Sequence, residues 1–247
     1  DALTNEEFVV YLQPKQSLRD GRIIGAEALV RWQTPTYGLI PPSYFIPLFE
    51  KNRFIIKLDL YVFEKTCAII QKWISQGHTP VPISVNLSKV HLDCPDFVAS
   101  YEKIRQSYNI PASLLEFEFT ETMMSQHPQQ LLQVVNQIHA YGYRCSLDDF
   151  GSGDSSFNLL KDICVDTLKL DKAFFGSSQL DNPRERDIIT SIIDLSGKLG
   201  MQTVAEGVET NAQRDFLRAA GCDIIQGYLF SKPLPILEFE KLMWGSV

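Results

Sequence analysis

The sequence of 247 residues has no excess of positive charge, no long apolar run and little cysteine. Its 23 lysines and arginines are outnumbered by 30 aspartates and glutamates, which gives a formal net charge of −7. Nucleic-acid-binding domains usually carry a basic patch, so this composition disfavours DNA and RNA as partners. Apolar runs stay well below the ~18 residues that a membrane span needs. The first residues also lack the basic and apolar regions of a signal peptide.

The cysteines are too few and too scattered to form a framework. They are Cys67, Cys94, Cys145, Cys164 and Cys222, with no CxxC pair among them. Their odd number and spacing disfavour disulfides and a zinc site, and indicate small buried side chains in a reducing compartment. We therefore expect the domain to reside in the cytoplasm, while a membrane anchor elsewhere in the full-length protein stays open.

Short apolar runs alternate with longer amphipathic segments along the whole chain. The predicted strands cover residues 8–13, 23–32, 82–87, 115–120, 144–149, 167–171, 202–206 and 223–229. The predicted helices cover residues 42–50, 58–77, 95–108, 128–141, 155–162, 184–199, 210–220 and 235–244. Strands that alternate with helices indicate a mostly parallel sheet, and eight of them suggest closure into a barrel.

The connection between the first two strands is too short for a crossover helix. Residues 18–21 can form only a turn, so these two strands should pair as an antiparallel hairpin. The sequence therefore predicts an α/β fold, a modified (β/α)8 TIM-type barrel with one antiparallel strand. No linker, repeat or low-complexity segment interrupts it, which predicts one domain over residues 1–247.

Polar and charged side chains recur where the predicted strands end. They are Glu27, Asn86, Glu118, Glu121, Asp148, Asp149, Lys169, Asp171, Glu206 and Gln226. In a parallel barrel these ends converge on one face, the usual active-site face. Buried carboxylates are costly without cations, and carboxylate and amide oxygens suit Mg2+ or Mn2+. No histidine falls at a strand end, which disfavours zinc.

Two adjacent aspartates extend this interpretation. Asp148 and Asp149 could serve two metal ions, and a two-metal site suits in-line phosphoryl displacement. Taken singly, each residue is more often a helix cap, a turn residue or a surface charge. A glycosidase with two carboxylates is a rival reading, but it requires no amide, lysine and aspartate pair together. A protein-interaction domain with a vestigial site would leave the set unexplained.

Eight ordered motifs that span essentially the whole chain resemble the EAL-domain family of cyclic di-GMP phosphodiesterases. The namesake tripeptide is Glu27-Ala28-Leu29, which continues as Val30-Arg31-Trp32. The others are Gly38-Leu39-Ile40-Pro41-Pro42 with Phe45-Ile46-Pro47, Asn86-Leu87-Ser88, Glu118-Phe119-Thr120-Glu121, Asp148-Asp149-Phe150-Gly151, Leu168-Lys169-Leu170-Asp171, Ala205-Glu206-Gly207-Val208-Glu209 and Gln226-Gly227-Tyr228. The implied reaction opens the ring of cyclic di-GMP to give linear pGpG.

The resemblance also implies roles for the individual residues. It implies a first metal ion, Mg2+ or Mn2+, on Glu27, Asn86, Glu118 and Asp148. It implies a second on Asp148 and Asp149, with Glu206 as a further candidate. Glu27, Lys169 and Glu206 are the implied catalytic residues, since Lys169 and Glu206 would orient or polarise the attacking water. The implied substrate contacts are Gln13, Leu29, Arg31, Asp171, Glu209, Gln226 and Pro233, and Glu121 would steady the loop after Asp149.

One loop departs from the family pattern. After Phe150-Gly151-Ser152-Gly153 the family commonly has an aromatic residue, where this chain has Asp154. This leaves the implied ligands intact, whereas a cyclic di-GMP receptor that does not cut its ligand, the alternative function, typically loses them. Members of the family usually follow sensory or diguanylate-cyclase-like domains and often pair as dimers. We therefore expect one module of a larger, homodimeric protein.

Overall fold

A computed structural model describes residues 2–94, 96–151, 163–175, 180 and 182–245. The chain opens with a long antiparallel hairpin of β1 (Phe8–Ser17) and β2 (Ile23–Thr34). Its turn holds Gly21 with φ of +73°, a conformation that glycine adopts without strain. Gln13 lies opposite Glu27 in this hairpin, so the predicted antiparallel pairing is confirmed.

Six further strands in the described residues run from β2 around the barrel. They are β4 (Ile83–Asn86), β5 (Leu115–Thr120), β6 (Arg144–Phe150), β7 (Thr167–Leu170), β8 (Gln202–Glu206) and β9 (Ile224–Gln226). They pair in parallel, in that order, starting from β2. β9 then pairs antiparallel with β1, which closes the ring. The predicted modified barrel, with β1 as its one antiparallel member, is therefore confirmed.

Two short strands lie outside the ring and were not predicted. β3 (Gly38–Ile40) pairs with the far end of β2, and β10 (Leu234–Pro235) pairs with β1. The last predicted strand is also shorter than expected, because β9 ends at Gln226. A Cβ atom on the next residue, Gly227, would lie 2.3 Å from the backbone of Val208, so the chain turns there through a gap that only glycine fits.

Helices cover the outside of the barrel. Within the described residues they are α1 (Pro42–Lys51), α2 (Ile55–Ser75), α3 (Phe97–Tyr108), α4 (Glu121–Gln126), α5 (Pro128–Ala140), α6 (Pro183–Lys198), α7 (Asn211–Ala219) and α8 (Ile236–Trp244). All match predicted helices except the six-residue α4, which follows β5 directly. The predicted helix at 155–162 lies outside the described residues. In the part of the chain that the structure describes, none of the helices is both long and apolar enough to cross a membrane.

Alternation along the strands separates an apolar layer from a polar one. In β5, Leu115, Phe117 and Phe119 face the helices and are buried. Phe117 packs there against Phe63 of α2, with ring centroids 5.5 Å apart. Glu116 and Glu118 of the same strand are also buried, but they point the other way, into the barrel. The interior of this barrel is therefore lined by charged groups, whereas branched apolar residues dominate most TIM-type barrels.

Candidate active site

The carboxyl ends of the parallel strands bring the predicted polar residues together at one mouth of the barrel. At its centre lies the ammonium group of Lys169, on β7, whose side chain is fully buried. Its Nζ lies 2.5 Å from Glu118 Oε2, 2.7 Å from Glu206 Oε1, 3.1 Å from Asp148 Oδ1 and 3.5 Å from Glu27 Oε2. Four strands thus direct a carboxylate at one cation.

Burial and neighbouring charges act against each other in this cluster. Burial alone would lower the pKa of Lys169, but the surrounding carboxylates outweigh it and raise that pKa well above its usual value. Burial raises the pKa of Glu27 and of Glu206, in both cases against the opposing effect of Lys169. Burial would also raise the pKa of Glu118, but its lysine neighbours hold it below its ordinary value.

Asp148 and Asp149 reach the mouth together because β6 is irregular there. Pairing of β6 with β7 shifts register between Leu147 and Phe150, as in a β-bulge. Asp149 adopts a left-handed conformation with φ of +58°, and its N–H donates to Asp148 Oδ1 at 2.8 Å. Carboxylate oxygens of Asp148, Asp149 and Glu206 consequently lie within 4.8 Å of one another. A strained backbone at such a position is typical of a functional site.

The segment after the bulge is held from two sides. Glu121, the first residue of α4, accepts a hydrogen bond at 3.1 Å from the N–H of Gly151. Gly151 has φ of +97°, and a Cβ atom there would overlap the ring of Phe174 at 1.4 Å. Glu121 is thus placed to act as the loop-stabilising residue that we predicted. Asp154, the departure from the family pattern, lies outside the described residues.

Amide side chains connect the acidic cluster to the hairpin. Asn86 donates from Nδ2 to Glu27 Oε1 at 2.9 Å, and Gln226 donates from Nε2 to Glu27 Oε2 at 2.7 Å. Gln226 also donates to Gln13 Oε1 at 3.2 Å. Both oxygens of Glu27 are therefore oriented by amides, and Asn86 keeps its own carbonyl oxygen available for a cation.

Two cavities adjoin this cluster. The first, of about 300 Å³, is lined by most of the predicted substrate-binding residues: Gln13, Leu29, Asp171, Glu209 and Gln226, beside Glu27, Asp148 and Glu206. The second, of about 340 Å³, was not predicted and has a mixed lining that includes Leu29, Glu50, Asp59, Asn86 and Ser88. Glu27 and Leu29 border both cavities, so a ligand with two arms could extend to either side of them.

Two predicted substrate contacts do not line these cavities. Arg31 lies two residues beyond Leu29 on β2, with its Cζ 5.8 Å from the ring centroid of Tyr11 and Nη1 donating to Val30 O at 2.8 Å. Burial lowers the pKa of its guanidinium group. Pro233 is half-buried just before β10. Asp171 does line the first cavity, but its carboxylate also accepts the N–H of Ala173 at 2.7 Å and so caps a short turn.

Two buried charged residues of the barrel, Lys15 and Glu116, were not predicted from the sequence. Lys15 of β1 is only 4% exposed and points into the barrel beneath Glu118. Strand alternation could have indicated Lys15, because it lies two residues after Gln13 and so shares its inward face.

A second cluster of side chains that could ligate a metal ion lies at the opposite ends of the strands. It is formed by His139, Cys145 and Asp166. There Asp166 Oδ2 lies 2.9 Å from His139 Nε2 and accepts the N–H of Cys145, which fastens α5 to the sheet.

Comparisons with known proteins agree with this geometry. A family model described as the EAL domain matches residues 1–233. MucR of Pseudomonas aeruginosa, a bifunctional diguanylate cyclase/cyclic di-GMP phosphodiesterase, is 36% identical over 234 residues, which cover 95% of this chain and 34% of MucR. RocR of the same organism, a cyclic di-GMP phosphodiesterase, is 34% identical over 244 residues, which cover 99% of this chain and 62% of RocR.

A solved structure extends the likeness to three dimensions. The complex of the PaMucR phosphodiesterase with c-di-GMP superposes with a TM-score of 0.89 at 35% identity, and the match covers 96% of both chains. Of the first curated relatives that it matches, the chain spans only about a third of the length. The motifs, the modified barrel and the family match lead to one conclusion, which confirms the resemblance found in the sequence: this chain belongs to the EAL domain family.

Proposed function

We propose that this chain is a metal-dependent phosphodiesterase domain that hydrolyses cyclic di-GMP to linear pGpG. The observation that carries the proposal is the convergence of Glu27, Glu118, Asp148 and Glu206 on Lys169, beside a cavity that could take a ligand. Two relatives also support the proposal. MucR and RocR match nearly the whole chain and are named as cyclic di-GMP phosphodiesterases.

The residues present fit divalent cations. Six acidic side chains either lie within 4.0 Å of the two lysines of the barrel or have carboxylate oxygens within 4.8 Å of one another, so the formal excess is four negative charges. The acidic members are Glu27, Glu116, Glu118, Asp148, Asp149 and Glu206, and the lysines are Lys15 and Lys169. Two divalent cations carry the charge that balances this excess, and oxygen donors are what Mg2+ and Mn2+ prefer.

We assign Glu27, Asn86, Glu118 and Asp148 to one ion, and Asp148, Asp149 and Glu206 to the other. Two such ions would supply an activated water and stabilise the attacking and leaving oxygens of an in-line displacement. The ammonium group of Lys169 would hold that water in line with the phosphorus atom. Glu206, whose Oε1 lies 2.7 Å from Lys169 Nζ, would accept its proton. As the water oxygen bonds to phosphorus, one P–O bond of the ring would break, and the leaving oxygen would take up a proton from solvent.

Substrate selection would follow from the first cavity. Gln13, Asp171, Glu209 and Gln226 offer donors and acceptors that match the edge of a guanine base. A site that hydrogen-bonds its substrate rejects analogues that leave these groups unpaired, so cyclic di-AMP should be a poor substrate. Equal kcat/KM for the two dinucleotides would contradict this assignment.

The decisive experiment is incubation of the purified chain with cyclic di-GMP and Mg2+ or Mn2+, with pGpG measured by chromatography. We expect turnover that stops in excess EDTA and is poorly supported by Ca2+, which prefers more ligands and looser geometry. Full turnover in EDTA would reject the metal-dependent mechanism. Tight binding of cyclic di-GMP without turnover would instead support the receptor function.

The remaining proposals concern the whole protein. We propose that the chain is one module of a larger, homodimeric protein with a sensory or diguanylate-cyclase-like domain upstream, because it spans about a third of the multidomain relative MucR. All five cysteines are free, which suits a cytoplasmic domain. Sedimentation and specific activity measured over a wide protein concentration test the dimer. A monomer with constant, full specific activity would contradict it.

A further inference from the structure

Lys15 is a second buried ammonium group, placed one layer below the mouth of the barrel. Its Nζ donates to Glu118 Oε1 at 2.9 Å and to Ser84 Oγ at 2.8 Å, and lies 3.9 Å from Glu116 Oε2. The carboxylate of Glu118 is completely buried between this lysine and Lys169, which contacts the other oxygen, Oε2. Each oxygen of Glu118 thus has its own ammonium group, one from below and one at the mouth.

Neighbouring strands of the barrel hold the ammonium group of Lys15 in place. Ser84 accepts from Lys15 and donates its hydroxyl to the backbone oxygen of Ala26 at 3.3 Å, so the ammonium group is anchored to two strands. Opposite Lys15 in the hairpin lies Gly25, whose position packs at ordinary van der Waals distance against the lysine stem: a Cβ there would be 3.6 Å from Lys15 Cδ. The residues around Lys15 therefore hold it against one oxygen of Glu118.

An ammonium group beneath a cation site has two opposing effects. By Coulomb repulsion alone it weakens cation binding at the mouth. As a hydrogen-bond donor it prevents rotation of the Glu118 carboxylate, and partners of this kind commonly improve ligand geometry. Because Lys15 engages Oε1, Oε2 is the oxygen on the side of Lys169, on which Asp148 and Glu206 also converge.

We propose that Lys15 is a positioning residue that fixes Glu118 so that a single oxygen is presented to the divalent cation in the mouth. The inference deepens the proposed function and rests on it for the identity of the cation site. It assigns Lys15 no contact with substrate, and its effect passes through Glu118 alone.

The test compares Lys15→Met with Lys15→Arg and with Lys57→Met, which removes an exposed lysine of α2 and serves as the matched control. Binding of Mn2+ is measured by electron paramagnetic resonance of the free ion, which needs no turnover. The Mg2+ concentration for half-maximal pGpG formation and the thermal unfolding of each variant are measured in parallel.

We expect Lys15→Met to bind Mn2+ about 10- to 100-fold more weakly, the usual cost of losing a partner of a ligating side chain. Its half-maximal Mg2+ concentration should rise in parallel, with much of kcat regained at saturating Mg2+. Lys15→Arg should remain within a few-fold of the unsubstituted chain, since a cavity of about 230 Å³ beside Lys15 leaves space for the guanidinium group. Lys57→Met should change neither the Mn2+ affinity nor the half-maximal Mg2+ concentration.

Whether Mn2+ affinity falls or rises in Lys15→Met decides between positioning of Glu118 and charge repulsion as the role of this lysine. Unchanged or tighter Mn2+ binding by folded Lys15→Met would overturn the proposal, because repulsion or mere packing would then be the role of this lysine. If Lys15→Met does not fold, Ser84→Ala replaces it, with a several-fold loss of Mn2+ affinity as the supporting result and no loss as the overturning one. A chain that binds Mn2+ but makes no pGpG would reject the proposed function and still leave this comparison of affinities intact.

Discussion

At the scale of single residues, the amides and lysines of the site orient its carboxylates by contacting both oxygens. Glu27 has both oxygens hydrogen-bonded by Asn86 and Gln226, whereas Glu118 has both in contact with lysines. Carboxylates held in this way are already oriented before a ligand arrives. Such preorganisation is what positions reacting groups without a further cost in ordering.

Two substitutions should separate chemistry from substrate binding. We expect Glu27→Ala to lower kcat by more than about 100-fold, because loss of a direct ligand should exceed the 10- to 100-fold cost of losing an outer partner. Arg31→Ala should instead remove about 1–3 kcal/mol of phosphate binding, a roughly 5- to 150-fold rise in KM at similar kcat. Steady-state kinetics with cyclic di-GMP measure both. Glu238→Ala, at an exposed position of α8, is the control, and near-normal kcat in Glu27→Ala would contradict the site.

The sequence could indicate most of these residues but not all of them. Asn86, Glu118, Asp148 and Glu206 lie within two residues of the end of a predicted strand, and Glu27 follows the apolar start of another; parallel strands bring such positions together whatever the details of packing. Lys15 was not predicted because it lies in the antiparallel strand, away from the strand ends that converge on the mouth, and a lysine in a hairpin at the edge of a sheet usually indicates a solvated face. The double role of Asp171, as cavity lining and turn cap, depends on a contact that no spacing reveals.

At the scale of elements, the end of β6 is irregular and carries two of the proposed ligands. A β-bulge and two residues of positive φ, Asp149 and Gly151, replace straight strand geometry there. The ring of Phe174, which stacks on Phe150 at 6.2 Å, leaves no volume beside Gly151. Sequence patterns predicted the strand but not the bulge, since a bulge depends on the register of the neighbouring β7.

Gly151→Ala tests how far this packing supports the two aspartates. The added methyl group would overlap Phe174, so we expect a loss of about 1–3 kcal/mol in the free energy of unfolding, together with lower kcat. Phe174→Ala in the same chain should remove the overlap between the methyl group and the ring. The double variant should therefore lose less free energy of unfolding than the sum of the losses in the two single variants. Urea unfolding and turnover measure both effects. Strict additivity would show that the ring and the methyl group do not collide.

An ion pair within α3, between Glu102 and Arg105, should make stability depend on pH. Glu102 accepts two hydrogen bonds from Arg105, at 2.6 and 2.9 Å, and one from Tyr143 at 2.7 Å. Arg105 first, and then Tyr143 and Gln106, lower the pKa of Glu102 despite burial. A carboxyl group with a lowered folded-state pKa stabilises the fold fully above its unfolded pKa, and that contribution is lost as pH falls through the folded-state pKa.

Glu102→Gln should therefore lower the free energy of unfolding at pH 7 by on the order of 1 kcal/mol. The difference from the unsubstituted chain should shrink as the pH falls below the ordinary glutamate pKa of 4.5. Urea unfolding at pH 7 and at the lowest pH that keeps both proteins folded measures the two differences. Glu64→Gln, on the exposed side of α2, is the control. An equal difference at both pH values would count against the charge as its source.

At the scale of the whole molecule, an interior with excess negative charge links folding to cation binding. An ion that binds only the folded chain stabilises it by about 2.7 kcal/mol at 100 times its Kd. We therefore expect saturating Mg2+ or Mn2+ to raise Tm by several degrees and EDTA to reverse the effect. Glu27→Ala should show a smaller shift, and calorimetry measures both. Identical Tm with and without cations would contradict a cation site in the barrel.

The antiparallel first strand has a consequence for the order in which the protein is built. Gln16 and Ser17 of β1 pair with Ile225 and Ile224, and Leu12 pairs with Leu234. A ribosome that adds about 5–20 residues per second delivers these partners roughly 10–40 s after β1. Until then the ring stays open, and the charged groups of its interior remain in contact with water. The nascent chain can thus form its helices and parallel pairs in sequence, but Gln13 and Lys15 reach their final surroundings only when the last strand has been made.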